Sequence, residues 1–152
     1  MSDKKLSGKT AIITGASKGL GKAMALALGG AGAKLALVSR SKEQLQTVAQ
    51  EARELGAEAE VFATDVASEE QVKRLEGEVT AKFGKVQILI NNAGINIRKP
   101  SVEFTLDDWR AVMDTNLTSV FLMCRAFVPR MKGQGYGRIL NLTSIIDRKS
   151  VV

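Results

Sequence analysis

Residues 10–21 read Thr-Ala-Ile-Ile-Thr-Gly-Ala-Ser-Lys-Gly-Leu-Gly, an apolar strand that runs straight into a glycine-rich turn. Ala11, Ile12 and Ile13 form the short continuous apolar run of a strand buried on both faces, and Gly15, Gly19 and Gly21 leave the backbone bare behind it. From Leu20 the residues change to helix formers, Lys22 to Leu28, which sets the turn's backbone N–H groups at a helix N-terminus. That arrangement suits an anion, a pyrophosphate in particular. A Walker P-loop needs four residues between its first Gly and Gly-Lys, then Ser or Thr. Five lie between Gly15 and Gly21-Lys22, and Ala23 stands where the hydroxyl belongs, so nucleotide hydrolysis is not expected. G-x-G-x-x-G is not matched either; the motif is Thr14-Gly15-x-x-x-Gly19-x-Gly21. A turn of this kind can also serve close packing alone.

Behind the turn, strands and helices alternate. Lys34 to Val38 is a second apolar strand ending at Ser39-Arg40. Ser41 to Leu55 is a helix with a capping box, Ser41 with Gln44, and an apolar stripe of Leu45, Val48, Ala49 and Ala52. Glu58 to Ala63 is a third strand, and Ser68 with Gln71 opens the next helix, whose stripe is Val72, Leu75, Val79 and Phe83. Val86 to Ile90 is a fourth strand, followed at once by Asn91-Asn92-Ala93-Gly94. Thr105 and Asp108 cap a long helical pattern through Trp109, Val112, Met113, Val120, Met123, Cys124 and Phe127, and Arg138 to Leu142 is a fifth strand. Connections long enough for crossovers predict an α/β fold of three layers, α/β/α. A doubly wound, Rossmann-like parallel sheet of about five strands lies in the middle. In such sheets ligands sit outside the carboxyl ends of the strands. All five expected ends carry polar or glycine residues: Thr14-Gly15, Ser39-Arg40, Thr64-Asp65, Asn91-Asn92 and Thr143-Ser144. Together they point to a ligand crevice.

Size and composition bound the function. A chain of 152 residues, 45% apolar, is expected to form one domain, residues 1–152. Cys124 is the sole cysteine and there is no histidine, which excludes internal disulfides, His/Cys metal sites and His-based triads; no metal is expected, and a reducing, cytoplasmic setting is. The longest uncharged apolar run, Ala23 to Ala33, is too short to span a bilayer, so no membrane partner is expected. The net charge of +6 is unevenly placed, with the two ends of the chain basic and the middle acidic. With no helix-turn-helix spacing, zinc ligands or aromatic stacking platform, no nucleic-acid partner is expected.

Two cations stand apart from the solvated lysines. Dinucleotide sites place an acid about twenty residues past the glycine turn to bind the ribose hydroxyls of NAD, whereas an arginine there accommodates the 2′-phosphate of NADP. Ser39-Arg40 holds that position, nineteen residues past Gly21 at Arg40, and Lys18 in the turn adds a second cation. NADP(H) is therefore expected over NAD(H). Asn116 falls at helical spacing on the otherwise apolar face of the long helix, where its amide must find partners: a neighbouring backbone group, or the crevice and a water.

Thr14 to Gly21, Asp65, Asn91 to Gly94, Asn116 and Ser144, in this order and spacing across nearly the whole chain, resemble the short-chain dehydrogenase/reductase family. The resemblance implies that the glycine turn (Gly15, Ser17, Lys18, Gly19, Leu20 and Gly21) holds the pyrophosphate. It implies that Ser39 and Arg40 read the adenosine ribose or its phosphate, that Asp65 with Val66 meets adenine, and that Asn92, Ala93 and Gly94 line the cofactor. Ser144 would orient the substrate oxygen and Asn116 would hold a water in a proton relay. Residues Ile95 to Pro100 are similar to those of sugar-acid and polyol dehydrogenases, while the general layout is equally similar to 3-oxoacyl carrier-protein reductases. The small-molecule partner is thus a carbonyl compound or secondary alcohol, and a homo-oligomer is left open.

The family's general acid/base is a Tyr followed four residues later by a Lys, about a dozen residues beyond the serine, and these 152 residues stop before that point. A tyrosine hydroxyl exchanges a proton near neutral pH only with a cation beside it, which is the lysine's role. Tyr136, the sole tyrosine, has Leu140 four residues on and lies at the other end of the fifth strand from Ser144. The expectation is a domain incomplete at its C-terminus and inactive alone. Ile139, Leu140 and Leu142 would lie on an open sheet edge. The alternative is a non-catalytic NADP(H)-binding module, or a poorly folded fragment associating through that edge.

Overall fold

A computed structural model of the protein describes residues 4–144. Five parallel strands, β1 (Thr10–Thr14), β2 (Lys34–Ser39), β3 (Ala59–Ala63), β4 (Ile88–Asn91) and β5 (Arg138–Asn141), form one sheet in the order β3-β2-β1-β4-β5. The chain leaves β1 toward β2 and β3, then returns past it to β4 and β5. The topological switch point therefore lies between the ends of β1 and β4, where open α/β sheets form a crevice. The doubly wound α/β fold is as expected, with boundaries shifted by a residue or two.

Side-chain alternation builds a core on each face of the sheet. Ala11, Ile13, Leu35 and Leu37 face one side and meet Ala25 of α1 (Gly19–Gly30) and Leu45, Val48 and Ala52 of α2 (Lys42–Glu54). Ile12, Ala36, Val38 and Leu89 face the other and meet Val72, Leu75 and Val79 of α3 (Glu69–Phe83) together with Leu122, Met123 and Phe127. Each large aliphatic buried this way contributes about 1.5–3 kcal/mol relative to exposure.

The long helical pattern after β4 differs from its expectation. It divides into α4 (Leu106–Met113), a π-helical segment (Asp114–Thr118) and α5 (Ser119–Met131). Only α5 packs into the core; Trp109 is exposed and Val112 and Met113 are half-buried. The wider π turn adds a residue and rotates what precedes it off the α5 stripe, so Asn116 sits in an exposed segment rather than on a buried apolar face. The stretch Leu106–Met131 reaches the length and mean hydropathy (1.2) of a membrane span by composition alone, as core helices also do.

Capping differs as well. Ser41 and Ser68 accept the N–H of Gln44 and Gln71, but neither glutamine returns the bond to its cap. Thr105 and Asp108 form the reciprocal box. The Gln71 side-chain Oε1 instead accepts the Asp65 N–H at 2.9 Å, which shapes the loop leaving β3.

Candidate functional site

The ends of β1 and β4 are knitted together by side-chain-to-backbone bonds. The Thr14 hydroxyl oxygen accepts the N–H groups of Asn92 and Ala93 at 2.9 and 3.0 Å, and the Asn92 amide donates to the carbonyls of Thr14 and Gly15 at 3.0 and 3.2 Å. The fit leaves no room for side chains on the turn. A Cβ on Gly21 would lie 2.1 Å from the Gly15 carbonyl oxygen, and one on Gly15, at φ +64°, would lie 2.9 Å from the Asn92 amide nitrogen. Gly19 is different: its φ is +55°, yet a Cβ there would meet nothing within 4 Å. Two of the three motif glycines therefore serve packing, and the third exposes backbone at the N-terminus of α1 to open space.

Around this knot lies a cavity of about 360 Å³. Its wall is the row of strand ends foreseen from the sequence: Gly15, Ser17 and Lys18 after β1, Ser39 and Arg40 at β2, Asp65 and Val66 after β3, and Asn92, Ala93 and Gly94 after β4. Ser41, Gln44, Thr64, Ile95 and Thr115 complete it. Thr64 is among the polar strand ends visible in the sequence, whereas the other four carry no crevice signal there. Ser41 and Gln44 read there as a helix start, while Thr115 reaches the wall through the π segment, which no pattern announces. Gly19, Leu20, Gly21, Asn116 and Ser144 lie outside this wall, Leu20 being 72% exposed. Ser144 follows β5, and residues 145–152 lie outside the described part of the chain.

Charge is distributed unevenly around the cavity. Lys18 and Arg40 have no acidic partner among the described residues, and Ser39, not an acid, ends β2. Lys22, the other lysine near the turn, is paired with Glu51 at 2.7 Å and so is not a free phosphate cation. Asp65 receives the Ala67 N–H at 3.0 Å, an Asx-type turn that holds its carboxylate at the cavity rim.

Asn116 spends its amide on one residue. Its Oδ1 accepts the Ile95 N–H at 2.8 Å and its Nδ2 donates to the Ile95 carbonyl at 2.9 Å, which fixes the backbone just past Gly94. Of the two readings the sequence allowed, the neighbouring-backbone one describes these bonds. Deeper, the Asn91 side-chain amide donates to the side-chain Oδ1 of Asn141 at 2.8 Å across the β4–β5 register and to the Cys124 sulfur at 3.6 Å. Tyr136 lies before β5 with the Lys9 ammonium and the Arg138 guanidinium each 4.7 Å from its ring centre.

Bare turn backbone, two cations without an ion-pair partner among the described residues and polar groups at the ends of β1 to β4 match the chemistry of a dinucleotide's phosphates, ribose hydroxyls and base. Comparison with known proteins leads the same way. The family model described as short chain dehydrogenase matches residues 9–152. A 3-oxoacyl-[acyl-carrier-protein] reductase of Synechocystis sp. is 39% identical over 141 residues, which cover 92% of this chain and 57% of that one. The chain spans about half the length of the curated relatives it matches. A metagenomic short-chain oxidoreductase solved in complex with NADP superposes with a TM-score of 0.89 at 36% identity, over 93% of this chain and 65% of that one. A xylitol dehydrogenase solved with NAD+ gives 0.90 at 36% identity, over 97% and 57%. Built on this sheet, with this crevice and these relatives, the chain belongs to the short-chain dehydrogenases/reductases, a family of NAD(P)-dependent oxidoreductases.

Proposed function

We propose that the chain is the dinucleotide-binding domain of an oxidoreductase that prefers NADP(H) and passes hydride between the nicotinamide and a carbonyl or secondary alcohol. The observation that carries the cofactor preference is the pair Lys18 and Arg40: two cations on the cavity wall with no ion-pair partner among the described residues, at the positions where a 2′-phosphate would lie. The glycine turn would take the pyrophosphate, with Gly19 supplying the open backbone; Asp65 and Val66 would meet the adenine. Asn92, Ala93 and Gly94 would line the nicotinamide half. When bound, the cofactor supplies or accepts the hydride.

The chain's own residues do the rest. Asn116 holds the backbone at Ile95, and so the rim on which the substrate rests. Ser144, just past β5, is assigned to orient the substrate oxygen. The substrate is a small carbonyl compound or alcohol of the kinds handled by 3-oxoacyl reductases or by sugar-acid and polyol dehydrogenases, and the protein works in the cytoplasm.

The test is titration of the chain with NADPH and NADH, followed by Trp109 fluorescence and thermal melting. Saturable NADPH binding with a rise in melting temperature is expected, and Arg40→Asp should move the preference at least tenfold toward NADH. An unchanged ratio refutes the phosphate-reading role. A second reading, a binding module that associates through β5 without turnover, is favoured by the exposure of Ile139 and Leu140. It predicts cofactor binding and concentration-dependent association with no carbonyl-dependent NADPH oxidation.

A further inference from the structure

The strands all begin at the end of the sheet away from the crevice, and cations gather there. Lys9 precedes β1, Lys34 opens β2, Lys85 lies shortly before β4 and Arg138 opens β5. Glu58, the acid that precedes β3, is spent on Lys34 at 2.8 Å. Lys9 and Arg138 have no acidic partner among the described residues. Both rest instead on one ring, that of Tyr136, each 4.7 Å from its centre. Their strands flank β4, which sets the two backbones about 10 Å apart.

A buried network fixes this arrangement. Gln87, 7% exposed at the foot of β4, accepts the Thr10 N–H through Oε1 at 2.8 Å and donates through Nε2 to the Gln134 Oε1 at 2.7 Å. The Gln87 carbonyl accepts the Arg138 N–H at 2.9 Å. The start of β1, the turn that carries Tyr136 and the start of β5 are thereby held to one another, and the Tyr136 ring packs against the apolar core. Its hydroxyl makes no hydrogen bond among the described residues, and the Arg138 guanidinium spends one N–H on the Gly137 carbonyl at 2.8 Å. Ring contact attracts each cation, but two like charges brought to one ring repel each other. An anion shared by both removes that repulsion.

We propose that Lys9, Tyr136 and Arg138 form an anion site for a phosphate group, free or in a small phosphate monoester. Two positive charges match the charge of a phosphate ester near neutral pH, and the phenolic O–H adds a donor for its terminal oxygens. A carboxylate offers less charge and fewer oxygens. A strand of five residues spans about 16 Å, so a ligand here leaves the crevice free, and the inference stands apart from the dinucleotide reading.

Tyr136 is the sole tyrosine, so a chain made with ring-13C tyrosine reports this site through one set of ring signals. The experiment titrates it with inorganic phosphate, glycerol 3-phosphate, acetate and sodium chloride at matched ionic strength. Both phosphates are expected to shift the ring signals saturably, at least tenfold more tightly than acetate. The tighter of the two names the source, and either order supports the site. Lys9→Gln and Arg138→Gln should each weaken the response at least fivefold, while Lys9→Arg keeps most of it, with thermal melting as the fold control. Acetate or chloride matching phosphate, or a phosphate response that survives both glutamine variants, overturns the site. So does a phosphate-induced rise in melting temperature that leaves the Tyr136 signals unmoved. Where a glutamine variant does not fold, phosphate against acetate on the parent chain and on Lys9→Arg decides.

Discussion

Strands β3 and β5 are both edges of the described sheet, yet they meet solvent in opposite ways. On β3, Glu60 pairs with Lys82 at 2.7 Å and approaches Arg53 at 4.0 Å, and the Arg53 guanidinium donates to the Ala59 carbonyl at 2.6 Å. The Glu60 carboxylate holds the Lys82 ammonium above the ordinary lysine range. An edge dressed in paired charges resists pairing with a foreign strand. On β5, Ile139 and Leu140 point to opposite faces and are 41% and 43% exposed. Similar apolar strand patterns thus end in two states, because burial depends on what the rest of the fold lays over each strand.

The contrast is broken most forcefully through the packed half. Phe127→Ala, at a fully buried position, should cost about 3–5 kcal/mol in a urea melt, whereas Ile139→Ala should cost only about 0.5 kcal/mol; equal costs would mean that β5 is covered in solution. Gly21→Ala drives a methyl into the Gly15 carbonyl, and a loss of about 1–3 kcal/mol is expected together with weaker NADPH binding. Next come the edges themselves. Replacing Ile139 and Leu140 together by lysine should abolish any concentration-dependent sedimentation at little cost in melting temperature, while Glu60→Val should create association at β3. Sedimentation unchanged by either would show that edge chemistry does not govern assembly.

The smallest effect concerns the anchor of the loop from β4 to α4. Lys99, then the Thr105 backbone and hydroxyl, hold the Asp108 carboxyl down to about 2 from its ordinary 3.8. Its folded-state pKa is depressed, so the pair's stabilisation is present above about pH 4 and is lost as pH falls toward 2. An acid titration followed by amide exchange should loosen residues 96–99 in that window in the parent chain, and Asp108→Asn should show the same loosening at neutral pH. A loop equally mobile at pH 7 and pH 2 would show that the anchor does not hold it.

Much of the candidate site is legible in the sequence. The strand ends Gly15, Arg40, Asp65 and Asn92 were legible because a parallel sheet brings its carboxyl ends together whatever the details of packing. Asn116 was legible as an outlier, but its surroundings were not. A 3.6-residue period assumes a regular helix, and the π segment at Asp114–Thr118 breaks that register, turning Asn116 toward Ile95 and Thr115 toward the cavity. The capping box at Ser68 is incomplete for a different reason: the Gln71 side-chain oxygen accepts the Asp65 N–H, a pairing that the loop after β3 makes possible, while at Ser41 only the Gln44 N–H bond forms.

By itself, the sequence determined the alternation of strands and helices and the two-faced core. These follow from local propensity and from the period of apolar residues, both properties of neighbours along the chain. Tertiary structure decided which glycines pack and which stays open, which lysine near the turn is neutralised, and which of two apolar edge strands meets water. Those outcomes depend on atoms far apart in sequence, such as Asn92 against Gly15 or Glu51 against Lys22, that only the folded sheet brings within a few ångströms.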